Sequence, residues 1–239
     1  MRTALITGGS GGIGKACGRK LAALGYDVIL TARRDEPLRA AAEQMGARYV
    51  VADATDPQRF APAVAAAETI DLVVHAAGVL GGTYARKQTF EQWRATMSAN
   101  LDSCFVVTSA ALPRMTAGSR FVFISSSAAH EPMRARTAYS ASKAGMNAFA
   151  RALALEVDRD GISVHIVTPG PVATEMLQDV PFEMYAIAVS DVAEAVAWLD
   201  TIDSSVDLPE IRLSAVQRGP FARPPVVPTE ARRRRQETP

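Results

Sequence analysis

The sequence predicts a single α/β domain in which a doubly wound parallel sheet carries helices on both faces. Three observations predict it: six short β-rich apolar runs, alanine-rich amphipathic segments alternating with them, and a glycine-rich turn joining the first run to the first helical segment. The runs at residues 4–7, 27–31, 49–52, 71–75, 120–125 and 163–167 are the expected strands. A β-α-β order makes neighbouring strands parallel. Right-handed crossovers then align the carboxyl ends of the strands along one edge, where open sheets of this kind bind ligands near the reversal of strand order.

The first expected strand runs directly into Gly8, Gly9, Ser10, Gly11, Gly12, Ile13 and Gly14, and a helical segment follows at 15–24. Glycines let the chain turn tightly and bring backbone N–H groups close to a pyrophosphate, to which the following helix offers its positive end. A dinucleotide fits this turn. The second strand leads into Ala32, Arg33 and Arg34, where a site for NAD would present a carboxylate to the ribose hydroxyls. Without that acid, and with guanidinium groups able to bind a 2'-phosphate, NADP(H) is expected in preference to NAD(H). Asp53, with Ala54 beside it, ends the third strand and is expected at the adenine, although a cap for the helix before Pro57 is an equally physical use of its carboxylate.

The fourth strand ends in His75, followed by Ala76, Ala77 and Gly78, which are expected to close over the cofactor. Asn100 falls in a helix beside that strand. Its amide can order a water near Lys143, or simply satisfy backbone groups of its own helix. The fifth strand delivers Ser125, Ser126 and Ser127 to the ligand edge, and Ser126 is placed to stabilise charge growing on a substrate oxygen.

The segment 137–157 has helical spacing and begins with Tyr139 and Lys143, four residues apart and therefore on one helix face. A phenol with a pKa near about 10 needs a neighbouring cation to exchange protons readily near neutrality, and Lys143 is the candidate. The same helix is small or apolar around most of its circumference, as is 101–115, which points to burial against a second subunit in a homodimer or homotetramer. The sixth strand leads to Pro169, Gly170, Val172 and Thr174, and 208–217 is the expected last strand and exit.

With the glycine turn, Asn100, Ser126, Tyr139 and Lys143 in this order, the sequence closely resembles the short-chain dehydrogenase/reductase family over about residues 2–213. The resemblance implies a Rossmann fold and an oxidoreductase that moves a hydride between NADP(H) and an alcohol or carbonyl carbon. It further implies that Tyr139 is the acid/base, that Lys143 lowers its pKa and holds the nicotinamide ribose, and that Ser126 orients the substrate oxygen. Asn100 then supports a proton-relay water, and residues 169–174 hold the nicotinamide carboxamide through backbone and Thr174 contacts. One departure stands where the family commonly has Asn-Asn-Ala-Gly: here it is His75-Ala76-Ala77-Gly78, and His75 is expected to replace some of the missing structural hydrogen bonds. The short C-terminal part is similar to that of NADP-dependent members acting on small hydroxy acids and like alcohols.

Substrate is expected to be shaped by residues 79–84, 130–134 and 175–185, the last carrying Met176, Leu177, Phe182, Met184 and Tyr185. Arg134 and Arg136 either anchor a carboxylate or face water. A small-molecule partner is expected, since a net charge of +1 in 239 residues calls for neither nucleic acid nor a membrane surface. His75, His130 and His165 are scattered, suggesting no metal site. Two distant cysteines, Cys17 and Cys104, and a start that enters a strand without an export segment fit the cytoplasm. Residues 1–219 form the expected catalytic domain and 220–239, rich in Pro and ending near Arg232 to Arg235, a disordered tail without assigned role. The competing function from another class is a non-catalytic NADP-binding regulator or scaffold with the same fold.

Overall fold

The computed structural model describes residues 1–179, 184–203 and 205–218, together with Ala222 and Val226. Seven parallel strands, β1 (Thr3–Thr7), β2 (Asp27–Ala32), β3 (Arg48–Val51), β4 (Leu72–His75), β5 (Arg120–Ile124), β6 (Ser163–Pro169) and β7 (Glu210–Leu213), lie in the order β3-β2-β1-β4-β5-β6-β7. The order reverses between β1 and β4. Their carboxyl ends, Thr7 and His75, are register partners and open the crevice predicted at that point.

Alternation along the strands divides the core into two layers. Leu5, Val73, Phe121 and Phe123 pack on one face with Phe60 of α3 (Pro57–Ala65), Val107 of α5 (Ser103–Ala111) and Met146 of α6 (Thr137–Val157). Ile6, Leu30, Val74 and Val122 pack on the other with Cys17 and Leu21 of α1 (Gly12–Ala23), Leu38 of α2 (Asp35–Glu43) and Val196 of α7 (Val189–Leu199). The central strands are buried on both faces because each is covered twice, which is why they read as continuous apolar runs.

The helix caps explain several boundaries. Asp56, not Asp53, caps α3, accepting from the N–H groups of Gln58 and Arg59 with Pro57 in the first helical position. Thr89 and Gln92 close a reciprocal capping box on α4 (Phe90–Met97). Between α4 and α5 the chain widens into a π-helical turn, Ser98–Asp102, that holds Asn100. The segment expected as one helix at 101–115 is therefore divided, and its regular part is α5.

β7 is shorter than the expected 208–217 and β6 runs on to Pro169, so that Thr168 lies opposite Arg212. On the outer surface Phe105 of α5 and Leu155 of α6 are 62% and 84% exposed. Among the described residues no helix is long and apolar enough to cross a membrane. Phe182, Arg232 and Arg235 lie outside the described residues, as does nearly all of 220–239; at Val226 the backbone exchanges two hydrogen bonds with Met184.

Candidate active site

A cleft of about 340 Å³ opens at the strand-order reversal. Gly8, Ser10, Gly11, Gly12, Ile13 and Gly14 form one wall, Arg33, Arg34, Asp53 and Ala54 another, and Ala76, Ala77, Gly78 and Thr174 a third. The wall is made by backbone. Gly8 has φ +68, and a Cβ there would come within 2.7 Å of the Ala76 oxygen; a Cβ on Gly14 would collide with the Gly8 oxygen. Helix α1 starts at Gly12 with no side-chain cap and no acidic residue in its first turn, so its leading N–H groups and positive end serve an anion in the cleft.

No carboxylate ends β2. Ala32, Arg33 and Arg34 occupy that edge of the cleft instead, and Asp53, an acid of the same wall, is already engaged. Its carboxylate accepts from the Thr55 N–H at 3.0 Å and the Thr55 hydroxyl at 2.8 Å. Burial alone would raise the Asp53 pKa; the Thr55 hydrogen bonds, with the nearby Arg33 and Arg59 charges, outweigh it and hold the carboxyl below its ordinary value. These residues fit a phosphorylated dinucleotide: an anion-binding helix end, backbone close enough for a pyrophosphate, and two guanidinium groups where a 2'-phosphate would sit.

Pro169, Gly170 and Val172 leave β6 behind the cleft wall. The Gly170 N–H donates to the Leu213 oxygen at 2.7 Å, and Val172 bridges to Ile187. Thr174 is brought forward against the glycine turn, its Cγ2 being 2.9 Å from where a Gly12 Cβ would stand. Thr7, Thr31, Ala52, Thr55 and Ala99 also line the cleft and were not expected there, while Val79, Glu175 and Met176 line it from the two segments expected to shape the substrate. Thr7 and Thr31 carried a readable signal, since each stands at the end of a strand on the ligand edge.

Beside this cleft the first turns of α6 carry Tyr139 and Lys143, both buried. The Ser126 hydroxyl stands near enough to the Tyr139 phenol to favour its ionised form. Lys143 Nζ donates to the Ile124 oxygen at 2.8 Å, at the end of β5, and lies 3.8 Å from the Met146 sulfur. No carboxylate pairs with it among the described residues, and burial pushes its pKa down to about 8. For Tyr139, burial pushes the phenol above its ordinary value, against the Ser126 hydrogen bond and the Arg136 charge, which pull it down. The Ser126 hydroxyl and the Arg136 charge favour the phenolate, while the Lys143 ammonium donates to a backbone carbonyl.

Asn100 is fully buried in the π-helical turn. Its Oδ1 accepts from the Val79 N–H at 2.8 Å, and Nδ2 donates to the Val79 oxygen at 3.0 Å and to Ser142 Oγ at 2.9 Å. Both amide hydrogens are thereby used, pinning the loop after β4 to α6. The alternative of satisfying its own helix does not hold, because every side-chain partner lies outside that turn. What remains for a water is the second lone pair of Oδ1.

His75 is also fully buried, and its hydrogen bonds assign its tautomer. The Ser103 hydroxyl donates to the Ala99 oxygen at 2.9 Å, so it accepts from His75 Nε2–H at 3.1 Å. Nδ1 accepts from the Thr7 hydroxyl at 3.2 Å, and Thr7 Oγ1 in turn accepts from the Ala77 N–H at 3.1 Å. The imidazole thus joins β1, α5 and the 76–78 turn, the structural role expected of it. Burial, helped by the Lys143 charge, pushes its pKa down to about 3.

A second polar network lies under Ser126. The Ser125 hydroxyl donates to Asn147 Oδ1 at 2.5 Å, while Asn147 Nδ2 stands 3.3 Å and Glu210 Oε1 2.6 Å from His130 Nε2. Nε2 cannot both accept from the Asn147 amide and donate to Glu210; the carboxylate, an acceptor only, requires the ring hydrogen on Nε2. Glu210 also accepts from Thr168 Oγ1 at 2.8 Å and Arg151 at 2.9 Å. Burial would raise its pKa; the Thr168 and His130 hydrogen bonds outweigh that and keep it below the usual value.

The short chain dehydrogenase family profile matches residues 2–184. A 3-oxoacyl-(acyl-carrier-protein) reductase of Rickettsia bellii is 32% identical over 220 residues, 85% of this chain and 91% of the relative. An acetoacetyl-CoA reductase of an Acinetobacter species is 32% identical over 83% of this chain and 90% of its own length. Among solved structures, an actinorhodin polyketide ketoreductase variant crystallised with NADPH superposes with a TM-score of 0.82 at 28% identity, covering 89% of this chain and 95% of that one. The chain belongs to the short-chain dehydrogenase family.

Proposed function

We propose that this protein interconverts an alcohol and a ketone or aldehyde, with NADP(H) preferred over NAD(H) and Tyr139 as the acid/base. The observation that carries this reading is the buried Tyr139 phenol, near the Ser126 hydroxyl and one helical turn from Lys143, beside a cleft whose wall is an uncapped helix N-terminus. A bound nicotinamide dinucleotide supplies or accepts the hydride. Gly8 to Gly14 would hold its pyrophosphate, Arg33 and Arg34 its 2'-phosphate, Asp53 and Ala54 its adenosine, Ala76 to Gly78 and Lys143 its nicotinamide ribose, and Pro169 to Thr174 its carboxamide. Two relatives whose names specify reductases, and similar structures crystallised with NADPH, support the same direction and cofactor.

The chain's own groups divide the proton work. Burial keeps Tyr139 protonated at neutral pH, as a donor for carbonyl reduction must be, and Ser126 donates to the same substrate oxygen as charge develops on it. Lys143, with a pKa of about 8, can pass a proton toward the phenol near neutrality. Asn100 fixes the loop after β4 and leaves one Oδ1 lone pair to order a connecting water. A binding protein has no use for this relay.

The test is reduction of a panel of ketones by NADPH with wild type and Tyr139→Phe. Loss of the general acid should lower kcat by about 10²- to 10⁴-fold. Equal rates for the two proteins on any reduced ketone would remove Tyr139 from the chemistry. The same reading includes a cytoplasmic location, supported by two buried free thiols, and a homodimer or homotetramer joined through α5 and α6. Exposed Phe105 and Leu155 support that contact, and a monomer by sedimentation velocity would dismiss it.

A further inference from the structure

Arg136 precedes α6 immediately and lies three residues before Tyr139, so the two belong to the same side of its first turn. Its charge reaches the Tyr139 phenol. Its Nη1 donates to the Gly81 oxygen at 3.2 Å, which carries the guanidinium across the loop that continues from Val79, a residue of the cleft wall. That loop is shaped for it. A Cβ on Gly82 would collide with Arg136 Nη1 and stand 2.5 Å from the Ala135 oxygen, so a larger residue at Gly82 and an arginine lying here exclude one another. Ala135 itself has φ +59, a left-handed conformation uncommon for a residue with a Cβ, immediately before Arg136.

Arg136 is partly exposed and its guanidinium bonds Gly81 at the surface; no carboxylate pairs with it among the described residues, and that is its one hydrogen bond there. Arg134, two residues earlier, is exposed and makes none of these contacts. A guanidinium beside the acid/base, reachable from solvent and not spent on a carboxylate, is available to an incoming anion. One carbonyl contact on Nη1 leaves the Nε/Nη2 edge, the fork that matches a carboxylate through two parallel hydrogen bonds. A single such edge suits a monoanion better than a phosphate dianion, which draws on several donors at once.

We infer that Arg136 anchors the substrate, and that the substrate class is a small oxo acid or its hydroxy acid, held by its carboxylate with the reacting carbonyl at Tyr139 and Ser126. This rests on the proposed carbonyl reductase activity and specifies its substrate. The reaction that supplies such a substrate leaves a free carboxylate near a ketone.

The experiment compares 3-oxobutanoate and 4-oxopentanoate, each against its methyl ester, as substrates for NADPH oxidation by wild type, Arg136→Gln, Arg136→Lys and Arg134→Gln. Taking the ratio of kcat/KM for acid over ester cancels any effect that reaches both through Tyr139. Wild type should favour at least one acid over its ester; Arg136→Gln should reduce that ratio by about tenfold or more, the usual worth of a charge-assisted contact. Arg136→Lys should retain part of it, and Arg134→Gln should leave it within about twofold, as expected for a solvated surface charge. Esters reduced as well as acids by wild type, or acid and ester falling together in Arg136→Gln, would overturn the anchor while leaving the reductase reading intact. No NADPH oxidation with any ketone, neutral or anionic, would overturn that reading and this inference with it.

Discussion

Replacing Lys143 by methionine should stabilise the protein while abolishing its chemistry, and the size of the gain follows from the burial of the ammonium. The lysine's pKa falls from 10.5 to about 8 on folding. At about 1.4 kcal/mol per pH unit, that difference corresponds to about 3 kcal/mol of penalty for keeping the charged form inside the protein. Methionine has nearly the same length and no charge. Losing the ammonium leaves the Ile124 oxygen without its partner, which returns about 1 kcal/mol, so the net gain at pH 7 is about 2 kcal/mol.

The pH dependence is the sharper quantity. Between 8 and 10.5 the unfolded chain holds a proton on this lysine that the folded chain has released, so wild type gains stability relative to the variant as pH rises through that window. Of the variant's advantage, about 2 kcal/mol should disappear between pH 7 and pH 9.5. Urea unfolding of both proteins across this range measures it, with the slope against denaturant confirming that the unfolded state is unchanged. A variant less stable than wild type by the same amount at every pH would refute the argument, because it would mean that the ammonium is no charged burden in the fold.

Two other perturbations address the cofactor and the departure at His75. Arg33→Ala should weaken NADPH binding by about 10- to 100-fold, the loss of one charge-assisted contact, with NADH changed by less than about threefold. Fluorescence titration of both nucleotides measures this, and parallel losses would show that Arg33 does not read the phosphate. His75→Asn should cost about 1–3 kcal/mol at pH 7 by leaving Thr7 or Ser103 unpaired. The same change should remove an acid sensitivity. The unfolded imidazole takes up a proton below about 6.5 while the buried one resists it to about 3, so wild type should lose about 2 kcal/mol from this residue between pH 7 and 5. Unfolding in urea at both pH values should show the variant losing correspondingly less, and identical losses would mean that the imidazole is not held neutral.

What could be seen in the sequence was whatever depends on local period. Strands buried on both faces are continuous apolar runs, and α6 begins and ends where the spacing places it. The glycine turn was legible because its reason is steric: Gly8 and Gly14 face backbone that tolerates no side chain. Features requiring two distant segments were hidden. Asn100 sits in a widened helical turn and bonds Val79, 21 residues away, while His75 meets Ser103 across 28 residues. Nothing in either residue's neighbours announces such a partner. The choice of Asp56 over Asp53 as a cap was decided by position relative to Pro57, and it frees Asp53 to remain in the cleft wall. Lys143 shows the limit of spacing arguments. A common helix face put it near Tyr139, but only the fold shows that its ammonium donates to the Ile124 oxygen and that Arg136 stands at the start of the same helix.

The aim of Ser126 is set by residues that never touch a substrate. Ser126 follows β5 in extended conformation, its hydroxyl accepting from the Ala128 N–H at 3.2 Å, and the short turn Ser127–Ala129 leads to His130. One end of this turn is tied through Ser125 to Asn147 of α6, and the other through His130 to Glu210 of β7. Glu210 is in turn fixed by Thr168, at the mouth of the loop carrying Pro169 to Thr174. Tyr139 and Asn147 share α6, so the helix that positions the acid/base also holds the turn that positions its hydrogen-bond donor. A displacement of β7 would therefore move Ser126 and the 169–174 loop together. A neutral residue at Glu210 would leave His130, Thr168 and Arg151 competing for weaker acceptors. This coupling accounts for a carboxylate with little exposure at the sheet edge where solvent alone would seem to suffice.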